Sequence, residues 1–209
     1  MKKIIFFGDS ITDMGRNRED DSSFGCGYPS YIVKKMGDLY PSKYLLLNRG
    51  ISGDRIVDLY ARIKKDVWNL NPDYLFILIG VNDVWHEIDG NNGVDIKRFE
   101  KVYRMLIEDT LNVLKNARII LFEPFFLYGE ATKEHYDEFL KVKDYAKVVK
   151  KLAKDYGLDF IQLQDRLENG VKEFGIEKIA NDGVHPDYEG ANIIADAFME
   201  YFYKKIGKK

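Results

Sequence analysis

Residues 2–13 read Lys-Lys-Ile-Ile-Phe-Phe-Gly-Asp-Ser-Ile-Thr-Asp. The run Ile4–Phe7 is apolar without alternation, the pattern of a strand covered on both faces, as in a parallel sheet. A strand is predicted over Lys3–Phe7, closed by Gly8-Asp9-Ser10. The same short apolar run returns at Tyr44–Asn48, Tyr74–Ile79, Arg118–Phe122 and Asp159–Gln162. Helical patterns lie between them at about Pro29–Leu39, Arg55–Asn69, Ile96–Asn116 and Asp137–Tyr156, with a last one from Glu189 to Lys205. Phe99, Val102, Leu106, Ile107, Leu111 and Leu114 share one helix face; so do Ala191, Ile194, Ala195, Phe198 and Phe202. Lysines 204, 205, 208 and 209 suit the negative end of that last helix dipole. Strand and helix alternating five times predict an α/β domain with right-handed crossovers and helices on both sheet faces.

The 209 residues can bury one core, and no composition shift argues for a second domain. A formal charge of −2 leaves no footprint for nucleic acid or an anionic membrane. The single cysteine, Cys26, excludes an internal disulfide and argues against a Cys-rich zinc site. It reads as a small, partly buried filler. The apolar run after Met1-Lys2-Lys3 is too short for a signal-peptide core, and no stretch approaches the roughly 20 apolar residues of a membrane span. A soluble cytoplasmic protein is expected. The oligomeric state is left open, a homo-oligomer included.

Ligands of such sheets bind beyond the carboxyl ends of the strands. Gly8-Asp9-Ser10 follows the first strand, Asn48-Arg49-Gly50-Ile51-Ser52-Gly53-Asp54 the second, Gly80-Val81-Asn82-Asp83 the third and Glu123-Pro124-Phe125-Phe126 the fourth. Asp182-Gly-Val-His185-Pro186 precedes the final helix, in a chain with only three histidines. Acyl transfer needs a nucleophile, a base, an acid that orients the base, and donors for the developing oxyanion. Ser10, His185 and Asp182 supply the first three: the imidazole takes the serine proton and the carboxylate fixes the imidazole tautomer. Gly53 lets a backbone N–H approach a reacting carbonyl closely, and Asn82 offers a neutral N–H₂ donor. Taken singly, each is an ordinary turn, cap or surface residue. Their joint placement at successive strand ends favours catalysis.

Gly8-Asp9-Ser10-Ile11, Gly53, Gly80-Val81-Asn82-Asp83 and Asp182-Gly-Val-His185-Pro186 resemble, in order, the four sequence blocks of the SGNH (GDSL) hydrolase family. The resemblance spans nearly the whole chain and implies one SGNH hydrolase domain over residues 1–209. It implies a flavodoxin-like three-layer α/β/α sandwich with a five-stranded parallel sheet, and no cofactor. It assigns Ser10 as nucleophile, His185 as base and Asp182 as orienting acid. The Ser10 and Gly53 N–H groups and the Asn82 side chain would form the oxyanion hole. Isoleucine at 11 replaces the usual leucine, an apolar exchange. With their flanks, the segments Gly8-Asp-Ser-Ile-Thr-Asp-Met-Gly-Arg16, Gly25-Cys-Gly-Tyr28, Ile51-Ser-Gly-Asp54 and Gly80-Val-Asn-Asp-Val-Trp85 are similar to bacterial acetylxylan esterases, intracellular enzymes that deacetylate xylo-oligosaccharides.

Trp85, His86 and Tyr28 are candidate substrate contacts; His135, among charged residues, reads as a solvated residue at a helix start. Asp9, Asp13, Asp54 and Asp83 lack metal-ligand spacing and read as acceptors for loop N–H groups, so no metal is expected. The loops Glu87–Val94 and Phe125–Thr132 are expected to form the site's rim. The expected partner is a small ester, an acetylated oligosaccharide. One alternative is a thioesterase or lysophospholipase with the same triad. A non-enzymatic alternative, a flavodoxin-like module binding phosphate or flavin at Ser10 and Thr12, lacks a glycine-rich loop and leaves Asp182 and His185 unexplained.

Overall fold

The computed structural model describes residues 1–207; Lys208 and Lys209, two of the four lysines assigned to the last helix end, lie outside the described residues. Five strands form one sheet: β1 (Lys2–Gly8), β2 (Tyr44–Gly50), β3 (Tyr74–Leu78), β4 (Arg118–Phe122) and β5 (Asp159–Ile161). They are all parallel, in the order β2-β1-β3-β4-β5. This is the flavodoxin-like order, whose crevice opens where the winding reverses beside β1. The helices are α1 (Ser10–Asp13), α2 (Tyr28–Leu39), α3 (Ile56–Asp66), α4 (Val81–Gly90), α5 (Ile96–Val113), α6 (Tyr136–Phe139), α7 (Val142–Asp155), α8 (Gln164–Phe174), α9 (Ile176–Ile179) and α10 (Tyr188–Lys205). In one layer α2, α8 and α9 pack around α10; in the other α5 packs between α3 and α7.

The apolar run of β1 explains why both layers are needed. Ile4, Ile5, Phe6 and Phe7 are all fully buried. Phe6 meets Tyr28 of α2 and Phe198 of α10 edge-on, with centroids 5.8 and 5.5 Å apart. Phe7 points the other way, under the guanidinium of Arg62 on α3. Burying each such ring contributes about 1.5–3 kcal/mol, so an uncovered face would be costly. The same side-chain direction continues across the sheet: Phe76 and Phe122 stand on the Phe6 side, with Phe76 4.8 Å from Phe198.

Several boundaries differ from the sequence expectations. Residues 81–90, expected as a motif followed by a rim loop, form α4, so Glu87–Gly90 is helical. The helix expected over 137–156 is interrupted after α6. There Lys141 N–H donates to Glu138 O and Lys143 N–H to Leu140 O, the i→i+3 pattern of a turn. The pattern at 55–69 splits into α3 and a 3₁₀ turn, Trp68–Leu70, closed by Asn71 at φ +46°. No helix among the described residues is long and apolar enough to cross a membrane.

Candidate active site

β1 delivers Ser10 to the carboxyl edge of the sheet. Asp9 caps the short helix that follows, accepting the Ile11 N–H at 3.0 Å, and Ser10 is its first residue. His185 comes from the loop before α10. Its Nε2 lies 2.8 Å from Ser10 Oγ and its Nδ1 2.5 Å from Asp182 Oδ2. The other Asp182 oxygen accepts the N–H groups of Val184 and His185, both at 2.8 Å, so one tight turn orients both side chains. Burial acts to raise the Asp182 carboxyl, but the hydrogen bonds from His185 and the two N–H groups outweigh it and hold it below its ordinary value. The bond to Asp182 raises His185 above its ordinary 6.5, against the opposing effect of burial. A neutral imidazole here can accept the serine proton, and the carboxylate favours the imidazolium that results.

Gly53 has φ +85°, left-handed backbone that an L side chain rarely adopts. Among the described residues neither its N–H nor that of Ser10 has an acceptor. Gly80, at φ +142°, turns the chain from β3 into α4 and places Asn82 in the first turn of that helix. Asn82 is 4% exposed, and Nδ2 gives one hydrogen to Asp54 O at 3.1 Å, leaving the second. Asp83 accepts the Ile56 N–H with both oxygens, at 3.1 and 3.3 Å. The start of α4 therefore grips the Gly53 loop just beyond the glycine, at residues 54 and 56.

The other candidates divide. Trp85 is half-buried, packed edge-on against Phe139, with its ring 6.0 Å from that of His185. His86 faces Gly53; burial and the nearby Arg55 lower its pKa. Tyr28 is not a substrate contact. It is fully buried, bonded through its hydroxyl to Thr12 Oγ1 at 3.1 Å and packed on Phe6 and Phe122, because it opens α2 facing the sheet. Cys26 is exposed, not partly buried, since the loop before α2 runs over the surface. His135 is exposed in a 3₁₀ turn.

The four acids do accept loop N–H groups or cations. Asp13 takes Ser52 N–H and Arg18, and Asp54 takes Arg62. Asp9 is fully buried with Oδ2 unpartnered; burial pushes its carboxyl up to about 7, against the Ile11 bond and the charge of His185. No cluster of three or more His, Cys, Asp or Glu able to hold a metal occurs among the described residues.

The segment expected as rim at 125–132 serves largely as a buttress. Leu127 N–H donates to Gly183 O, Glu130 N–H to Asn181 O and Ala131 N–H to Asp182 O, at 2.7 to 2.9 Å. Phe125, Phe126 and Leu127 are buried beneath it. This pairing holds the Asp182 turn, and no sequence spacing signals it. A cavity of about 680 Å³ lies on the Val84, Glu87 and Ile88 side of α4, and none of Ser10, Asp182 or His185 lines it. Chemistry, not cavity size, identifies the site.

The model of the GDSL-like lipase/acylhydrolase family matches residues 6–193. An acetylxylan esterase of Geobacillus stearothermophilus is 36% identical over 95% of this chain and 92% of its own length. The crystal structure of Axe2, an acetylxylan esterase from that organism, superposes with a TM-score of 0.84 at 33% identity, covering 95% of this chain and 93% of that one. A GDSL-like lipase structure from Parabacteroides merdae gives a TM-score of 0.90 at 33% identity, covering 98% and 96%.

Proposed function

The chain belongs to the GDSL-like lipase/acylhydrolase family and is a carboxylic ester hydrolase, and we propose that it removes acetyl groups from xylo-oligosaccharides through Ser10, His185 and Asp182. The observation that carries this reading is the imidazole of His185, within hydrogen-bonding distance of both Ser10 Oγ and the Asp182 carboxylate. Ser10 Oγ attacks the acetyl carbonyl as its proton passes to His185 Nε2. The tetrahedral oxyanion accepts the N–H groups of Ser10 and Gly53 and the free Asn82 amide hydrogen. Collapse breaks the ester bond, and His185 gives its proton to the departing sugar oxygen. Water, deprotonated by His185, then cleaves the acetyl-Ser10 ester and releases acetate.

The acetyl and sugar parts of the proposal rest on the acetylxylan esterase relatives and on Trp85, whose ring stands beside His185 and can stack on a pyranose face. The test uses Ser10→Ala, assayed on p-nitrophenyl acetate and acetylated xylo-oligosaccharides. The variant folds, because Ser10 Oγ bonds only to His185, and turnover of both substrates is lost. Undiminished turnover would overturn the assignment. Octanoyl esters separate the long-chain alternative: a deacetylase turns them over far more slowly than acetyl esters.

A further inference from the structure

Two of the oxyanion donors assigned above are backbone N–H groups that hang from different strands, Ser10 after β1 and Gly53 after β2. The ladder between these strands ends at the pair Gly8–Gly50, and one more bond, Ile51 N–H to Gly8 O at 3.0 Å, extends it. Beyond Ile51 the chain leaves the sheet. Gly53 has no side chain to anchor it, and a Cβ placed there would find nothing closer than 3.9 Å. The separation of the two donors therefore depends on what ties the loop back to β1.

Arg62, on α3, spans that gap. Its side chain is only 14% exposed, and its guanidinium carbon lies over the Phe7 ring, 4.4 Å from the centroid. Nη2 donates to Gly8 O at 3.0 Å, two residues before Ser10. Nη1 donates to Arg49 O at 2.9 Å, at the end of β2, and to Asp66 Oδ2 at 2.7 Å. Nε donates to the Asp54 carboxylate at 2.6 Å, next to Gly53. A single rigid, planar group thus bonds the end of the serine strand, the end of the neighbouring strand and the Asp54 side of the loop before α3, which Asp13 and the start of α4 hold at Ser52, Asp54 and Ile56. We propose that Arg62 is a positioning residue for the oxyanion hole: it sets the distance between the Ser10 and Gly53 N–H groups by fastening the Gly8 carbonyl to the Asp54 carboxylate.

The inference rests on the assignment of Ser10, Gly53 and Asn82 proposed above. The shape of the group matters as much as its charge. Lysine carries the same charge on one nitrogen and cannot present a fixed fork to acceptors on three segments. The oxyanion charge is absent from the bound ester and develops on the way to the tetrahedral intermediate, so misplaced donors lower kcat and leave KM nearly unchanged. A role confined to stability would lower the unfolding free energy and leave both constants of the folded protein unaltered.

The experiment compares Arg62→Lys, Asp54→Ala, Asn82→Ala and Ser10→Ala with wild type. It measures kcat and KM on p-nitrophenyl acetate, inhibition by a boronic acid that forms a tetrahedral adduct with serine, and urea unfolding. Arg62→Lys is expected to lose about 10- to 100-fold in kcat, as for donors displaced by a fraction of an ångström to an ångström. Boronate affinity falls in parallel while KM holds. Asp54→Ala, which cuts the clamp only at its loop end, moves the same quantities by a smaller factor and decides the matter if Arg62→Lys does not fold. A folded Arg62→Lys, or Asp54→Ala if that variant is unfolded, with wild-type kcat and boronate affinity overturns the inference. If Ser10→Ala and Asn82→Ala are inactive in that case, only the role of Arg62 fails. If those two retain full activity, the catalytic assignment itself has failed.

Discussion

Removing the side chain of Asn82 perturbs catalysis and stability by separable amounts. The amide sits in the first turn of α4, 4% exposed, with one hydrogen spent on the Asp54 carbonyl at 3.1 Å and one free. If the free hydrogen meets the oxyanion, Asn82→Ala forfeits one of three donors, about 10²–10³ in kcat or roughly 3–4 kcal/mol of transition-state stabilisation. The stability effect is smaller. A lost neutral hydrogen bond that leaves a buried carbonyl unpaired costs about 1–3 kcal/mol. KM should hardly move, because the ester carbonyl of the bound substrate carries far less charge than the oxyanion. Steady-state kinetics on p-nitrophenyl acetate read the first quantity and urea unfolding the second. Asn82→Asp sharpens the contrast: it has the same shape but only acceptors, and it sets a negative charge against the oxyanion, so its kcat falls at least as far. An Asn82→Ala variant that loses stability but keeps its kcat would refute the reasoning and return Asn82 to a purely loop-holding role.

Other consequences follow from the same geometry. The acid limb of kcat/KM should lie above the ordinary histidine value of 6.5, since Asp182 raises His185 and the base must be neutral. In Asp182→Asn the limb should move down in pH and kcat fall by about 10⁴ as the tautomer is lost; an unmoved limb would contradict the pairing. Asp9 gives a stability signature of defined sign. Burial raises its folded value to about 7, so the folded state keeps a proton that the unfolded chain releases at about 3.9. Its contribution is favourable below the unfolded value and is lost as pH rises to about 7, by up to ~4 kcal/mol. Asp9→Asn should therefore gain on wild type in urea unfolding between pH 4 and pH 8, and a pH-independent difference would refute this. Gly53→Ala, forced to hold φ +85°, should cost about 1–2 kcal/mol of stability and lower kcat; wild-type values for both would contradict the left-handed turn.

The legible parts of the chain were those where one physical signal dominated. The run Ile4–Phe7 is apolar on both sides because α2 and α10 cover Phe6 while α3 covers Phe7, so β1 and the parallel sheet could be read directly. α4 was missed because it starts from a glycine at φ +142° with no side-chain cap, and no capping residue marks its start. α8 was missed for a different reason: Leu167, Val171 and Phe174 do fall on one helix face, but Asn169-Gly170 in the middle of the segment lowers its propensity and reads as a turn. Ser10, Gly53, Asn82, Asp182 and His185 stood out because each follows a strand or shares a short spacing. Tyr28 stood near the same motifs, yet its ring is core, since adjacency in sequence does not give the direction of a side chain. Arg62 and the Leu127–Ala131 buttress were invisible. The buttress pairs with backbone carbonyls, and of the partners of Arg62 the two that join the strand ends, Gly8 O and Arg49 O, are carbonyls too, which carry no sequence identity.

The most direct test of the catalytic reading is to label the protein with a fluorophosphonate, digest it, and map the adduct by mass spectrometry while following esterase activity. The geometry predicts one adduct, on Ser10, formed in step with complete loss of activity and suppressed in His185→Ala, where no base takes the serine proton. Full esterase activity in protein labelled at Ser10, or inactivation with the label on another residue, would contradict it.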